Sequence, residues 1–170
     1  MSKTTAKRII DQLLGHELIQ EMENLSEIIF TSDFAEAARR DSECPPPGMY
    51  LDYLEEVSKF DGPSYFPVIL SLGAHEDANE TAQELSQDYP EFTTSDKFFF
   101  SEHQGYIVWY FKKTDPAVYR FGEDTEIEER IANSFEEFIE DMIEYAVRHR
   151  ERMQRFHERV SERYRRRHLQ

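Results

Sequence analysis

The chain carries one cysteine, Cys44, in 170 residues, so no internal disulfide can form, which fits a reducing compartment and a fold that rests on an apolar core. A nucleophilic thiol needs an activating base, and the residues that follow Cys44 are Pro45, Pro46 and Pro47, a stiff loop. Long apolar runs are missing too. The longest, Tyr106 to Phe111, has six residues, too few to cross a bilayer as a helix. Met1 to Arg8 is polar and basic and leads into an amphipathic pattern, so no secretion signal is expected. The sequons at Asn24 and Asn79 then carry no expectation of a glycan. The sequence has no Gly-x-Ser-x-Gly elbow, no glycine-rich phosphate loop and no Cys-x-x-Cys pair, the signatures of hydrolases, nucleotide binders and zinc ribbons.

Aromatic residues are abundant: thirteen Phe, nine Tyr and one Trp. A disordered acidic chain does not carry this much apolar ring surface, so the high charge decorates one ordinary-sized globular domain. That charge is segregated. Residues 146–170 hold nine arginines against three glutamates, a net +6, and the chain's total of −15 therefore leaves −21 on the 145 residues before them. A body this acidic repels nucleic acid and anionic membrane and steers cationic partners toward itself.

Ile9, Ile10, Leu13, Leu14, Leu18, Ile19, Met22 and Leu25 fall on one helical face, with Gly15 as a bend. Asp33 and Glu36 read as a capping box for a short helix through Arg40, followed by a loop from Asp41 to Gly48. A helix from Met49 to Phe60 would bury Tyr50, Leu54 and Val57 and stop at Asp61-Gly62-Pro63. Tyr65 to Leu72 reads as a strand with an edge position or a bulge at Pro67, and Glu76 to Gln87 as a polar helix with Asn79 as a candidate cap.

The clearest strand signal is a hairpin of Lys97 to Ser101 and Gly105 to Lys112. In its second arm Tyr106, Val108 and Tyr110 alternate with Ile107, Trp109 and Phe111. Both faces are apolar, as in a central strand covered on both sides, with one aromatic left open to a partner. Thr114-Asp115-Pro116 turns the chain into a strand from Ala117 to Phe121. Ser134 and Glu137 form a capping box for the last helix, whose core face is Phe135, Phe138, Ile139, Met142, Ile143 and Ala146. A thinner stripe continues through Met153, Phe156, Val160 and Tyr164, and an unbroken helix to His168 would run about 50 Å and protrude.

Three short stretches resemble the SUKH superfamily, which groups Smi/Knr-like cell-wall regulators with many bacterial toxin-immunity proteins. They are Phe98-Phe-Phe-Ser-Glu-His-Gln-Gly105-Tyr106, Asp115-Pro-Ala-Val-Tyr119 and Asn133-Ser-Phe135-Glu-Glu-Phe138-Ile139, in the family's order. The resemblance is best over 49–145. It implies an α+β fold with a mixed, largely antiparallel sheet between N-terminal and C-terminal helices, no catalysis and no cofactor, and a cytoplasmic protein-binding role, often neutralisation of a toxin. On this reading residues 1–145 form one domain and residues 146–170 a basic helical extension outside the family pattern.

Candidate partner-binding residues are Glu102, His103, Tyr106, Trp109, Glu123 and Asp124, taken from the hairpin and the next turn. No metal site is expected. His75, Glu76, Asp77, Asn79 and Glu80 lack the glycine and closing glutamate of an EF-hand loop and suit a solvated helix start. His149 and His157 lie two helical turns apart, too far for one ion. In the basic tail, the arginines at 148, 150, 152, 155, 159, 163 and 165 to 167 fall nearly all round the helix, and Arg159, Arg163, Arg165, Arg166 and Arg167 are adequate for phosphate contacts but opposed by the acidic body. The tail therefore leaves three uses open: docking of a regulatory or scaffold partner, a homodimer through the helix, or binding of RNA or DNA.

Overall fold

The computed structural model describes residues 2–21, 44–57, 60–61 and 74–168. The expected capping box at Asp33, the turn at Gly62-Pro63 and the strand Tyr65 to Leu72 lie outside them.

Helix α1 spans Ser2–Gly15 and ends there, where the apolar pattern had suggested only a bend. The stop is set two residues later. Glu17 takes a left-handed φ of 54°, its N–H donates to the Leu14 carbonyl (2.9 Å), and the Leu18 N–H reaches back to the Leu13 carbonyl (2.8 Å). This is a Schellman closure, and the apolar contact that accompanies it is supplied by Leu13 and Leu18, both fully buried. Strand β1 (Gln20–Glu21) follows and pairs antiparallel with β2 (Phe60–Asp61).

Helix α2 (Gly48–Val57) buries Tyr50, Tyr53, Leu54 and Val57 on one face. Helix α3 (Ala74–Asp88) starts earlier than expected, so Asn79 is an interior residue of it and not its cap. The sheet follows as β3 (Lys97–His103), β4 (Ile107–Lys112), β5 (Asp115–Gly122) and β6 (Glu129–Ala132), in that spatial order. All its pairs are antiparallel. Helix α4 (Phe135–His168) closes the described chain, unbroken.

Alternation along β4 assigns the layers. Ile107, Trp109 and Phe111 face a core built with α1, α2 and α4, while Val108 and Tyr110 face a second core under α3 with Ala78, Ala82, Leu85 and Phe92. Helices thus cover both faces of β4, which explains why five of its six residues are buried. Phe135, at the start of α4, is the hub of the larger core. Its ring lies 5.1 Å from Tyr50, 5.3 Å from Tyr53 and 5.8 Å from both Phe100 and Phe111.

The cap of α4 differs in one detail from the expected box. Ser134 Oγ accepts from the Glu137 N–H (3.2 Å), but the Glu137 carboxylate reaches past Ser134 and accepts from the backbone and side-chain amides of Asn133 (2.8 and 2.9 Å). Across the sheet, Asp115 opens β5, two residues before the expected start at Ala117, because the chain reverses at Lys113-Thr114 with Thr114 at φ 66°. Its carboxylate accepts the Ala117 N–H (2.9 Å) and the Tyr119 hydroxyl (2.7 Å), and these bonds hold it below the usual carboxylate range.

A carboxyl depressed by folding stabilises the fold fully above its unfolded value of 3.8 and loses that contribution as pH falls through the lower folded value. Urea midpoints taken at decreasing pH should therefore fall less steeply below that value in Asp115→Asn than in the wild type. Equal slopes would show that the two bonds are not made in solution.

Candidate functional site

Two turns meet at one end of the sheet. In the β3–β4 turn, Gln104 (φ 52°) and Gly105 (φ 79°) are both left-handed, and the Gly105 N–H donates to the Glu102 carboxylate (2.8 Å). Tyr106 is thereby placed in the turn and not in β4. Its ring packs beside the larger core, 5.7 Å from His103, rather than sharing a face with Val108 and Tyr110 as strict alternation had suggested. The Tyr106 hydroxyl donates to Gln104 Oε1 (3.0 Å).

The β5–β6 turn begins at Gly122, and the Glu123 N–H donates to the Tyr106 carbonyl (3.0 Å), which fastens one turn to the other. Arg120, mostly buried, donates to Asp124 Oδ2 (2.5 Å) and Glu129 Oε2 (2.7 Å). That bond to Arg120 holds the Asp124 carboxyl below its ordinary value.

Of the six candidates, Glu102, His103, Tyr106, Glu123 and Asp124 come together on this end, with Glu123 and Asp124 exposed and the other three half-buried. Trp109 does not join them. It is 7% exposed and belongs to the core with α1, α2 and α4, so its ring is not open to a partner. Sequence reasoning missed Arg120, whose place opposite Glu129 depends on the pairing of β5 with β6.

Gly122 sets how closely the turns approach. A Cβ there would lie 2.7 Å from Asp124 Oδ1, 2.8 Å from Ile107 Cγ1 and 3.2 Å from the Tyr106 carbonyl oxygen. Gly122→Ala should cost about 1–3 kcal/mol in urea denaturation through this crowding. A loss below about 0.5 kcal/mol would mean that the two turns are not in contact.

A second feature, a cleft of about 770 Å³, opens on the α3 side of the sheet, with Phe92, Phe121 and Ile127 beside Lys97, Lys112 and Glu128. The Tyr110 hydroxyl donates to Glu128 Oε2 (2.6 Å), Lys112 pairs with the same carboxylate, and Lys97 Nζ lies 3.9 Å from it. Lys97 also sits over the rings of Phe92 (5.1 Å) and Tyr110 (5.6 Å). Burial pushes the Lys97 ammonium down. Burial pushes the Glu128 carboxyl up, but bonds from Lys112 and Tyr110 outweigh it and the net direction is down. The two lysines meet on the one carboxylate and so support the loop that carries Glu126 to Glu128.

Among the described residues no three His, Cys, Asp or Glu side chains are placed to hold a metal ion. The side chains of His75, Glu76 and His157 lie outside the described set. His149 stacks on Tyr145 at 6.0 Å. Cys44 is 3% exposed. No described helix is long and apolar enough to cross a membrane. The side chains of Arg159, Arg163, Arg165, Arg166 and Arg167 are not described, but the helix that carries them is continuous with the core-facing part of α4. Arg150, beyond the expected boundary at residue 146, still donates to the His16 carbonyl at the end of α1 (2.6 Å).

The sequence model of the SMI1/KNR4 family (SUKH-1) matches residues 15–141. The chain belongs to this family. For this SUKH-1 protein, the match covers the last residue of α1, the core under α3, most of the larger core, the whole four-stranded sheet and the first turns of α4, and so begins well before the 49–145 stretch that carries the visible motifs. It stops at residue 141, ahead of the arginine-rich half of α4. No curated protein and no solved structure matches the chain. Membership supports an immunity-type or regulator-type protein that acts through protein–protein contact.

Proposed function

We propose that this SUKH-1 protein is a cytoplasmic immunity-type module that neutralises a cationic toxin by direct binding, with no catalytic step. The contact surface is the sheet end that carries Glu102, His103, Tyr106, Glu123 and Asp124. The observation that carries this reading is the bond from the Glu123 N–H to the Tyr106 carbonyl, which makes two loops one platform. Fixed loops bind with little ordering cost, and an acidic surface on a body of net charge −21 favours fast association with a basic partner.

Affinity capture from the source cells at low salt tests this, with the captured protein purified and titrated back by calorimetry. A basic protein binding one-to-one, with an association rate that falls as salt rises, is the expected result. An acidic partner, or a rate indifferent to salt, would refute it.

A further inference from the structure

The outward side of α4 reverses its charge along its length. Glu137, Asp141 and Glu144 are exposed in its first turns, and Arg148, Arg152 and Arg155 are exposed further on. The sequence continues the row with Arg159, Arg163 and Arg166. Steps of three and four keep all nine positions on one face, since 29 residues at 3.6 per turn return to within about 20° of the starting direction. On the opposite side the first half is already occupied: Phe135, Phe138, Ile139, Ile143 and Ala146 are buried in the core, and Arg8 pairs with Glu136 (2.5 Å) and Glu140 (2.7 Å).

The helix is also too long for its own body. Arg150 bonds to the His16 carbonyl at the end of α1, and α4 continues to His168, about 27 Å further. Being one unbroken helix, it cannot fold its basic half back on the acidic body to which it is attached. A polar helical arm of this length is marginal in water on its own. Side-chain pairs within the helix, Glu144 with Arg148 (3.0 Å) and Glu151 with Arg155 (3.6 Å), add only tenths of a kcal/mol each, about 0.2–0.5.

We infer that α4 pairs with α4 of a second copy of this chain, antiparallel, so that the arginine row of each lies along Asp141 and Glu144 of the other. Charge complementarity selects both occupant and direction. A parallel pair would set arginine on arginine, whereas a two-fold antiparallel pair satisfies both halves at once with one surface. Tyr145, 53% exposed beside this row, supplies apolar area to the contact. The inference is independent of which partner the sheet end binds.

Sedimentation equilibrium of the full chain tests it. At about 50 mM salt the mass should be twice the chain's 20.3 kDa, and at about 500 mM salt it should fall toward one chain. Asp141→Arg with Glu144→Arg sets arginine against the arginine row of the second copy, and Arg159→Glu with Arg163→Glu sets glutamate against its Asp141 and Glu144, and each pair should weaken the dimer at least about ten-fold. All four changes in one chain exchange the charges at these four positions and should restore the dimer, because only an antiparallel pair sets the new arginines against the new glutamates. Circular dichroism confirms that each variant is folded. A single-chain mass at low salt, or a quadruple variant that stays dissociated, overturns the inference. So does a monomer that binds a short single-stranded RNA or DNA and loses that binding in Arg159→Glu/Arg163→Glu, which would assign the arginine row to nucleic acid.

Discussion

Phe135→Ala should cost about 3–5 kcal/mol, the full range for truncating a buried aromatic ring. Phe135 is 1% exposed and is the first residue of α4, yet it contacts side chains from α2, β3 and β4. Its ring meets Tyr50 edge-on at 89° and Phe100 at 87°, geometries that add about 0.5–1.5 kcal/mol per pair beyond area burial. Removing it leaves Tyr50, Tyr53, Phe100 and Phe111 around a void that the sheet cannot close, since these residues are fixed by their own elements. Phe135→Leu retains most of the volume and should lose only about 1–2 kcal/mol. Chemical denaturation of the three proteins checks this. A cost below about 1 kcal/mol for the alanine variant would show that α2 and α4 do not share a core.

The second large effect is functional. Glu102→Lys, Glu123→Lys and Asp124→Lys together should weaken binding of the captured partner at least about 100-fold while leaving the fold intact. Glu123 and Asp124 are exposed and Glu102 is half-buried, so the lysine stems reach water. Two local bonds are lost, from the Gly105 N–H to Glu102 and from Arg120 to Asp124, but Arg120 keeps Glu129. Stability should therefore change by no more than about 1–2 kcal/mol. Most of the affinity loss should appear as slower association, because three acidic groups become basic on the surface that meets a basic partner. Unchanged affinity would move the contact elsewhere on the body.

Where residues alternate or cap, the sequence was readable. The two aromatic arms gave the hairpin, and double-sided burial of β4 followed from apolar residues at every position. The motif Asp115-Pro-Ala-Val-Tyr119 has a local reason that sequence could only match by likeness: Asp115 bonds both Ala117 and Tyr119. Where neighbours in space decide, the reading failed. β6 is four residues with only Ala132 buried, too short to show a period, and its existence depends on pairing with β5. The pairing of β1 with β2 involves two residues on each side.

The candidate site was legible as a region rather than as a surface. Selecting turn residues found both loops, because polar residues at a hairpin tip are exposed wherever the hairpin lies. That the loops are joined was not readable, since it depends on a backbone bond between Glu123 and Tyr106 and on the space left by Gly122. Trp109 was misplaced for a related reason. Alternation shows which residues share a face, but only packing shows that helices cover both faces and leave no ring of β4 open. The cleft around Lys97, Lys112 and Glu128 went unnoticed because its residues come from four separate segments.

Growth of source cells lacking this gene, complemented with variants, tests the central claim most directly. Wild-type protein and the Arg159→Glu/Arg163→Glu variant should both restore growth, while Glu102→Lys/Glu123→Lys/Asp124→Lys, present at equal abundance, should not. Full rescue by the triple variant would contradict the assignment of toxin binding to this end of the sheet.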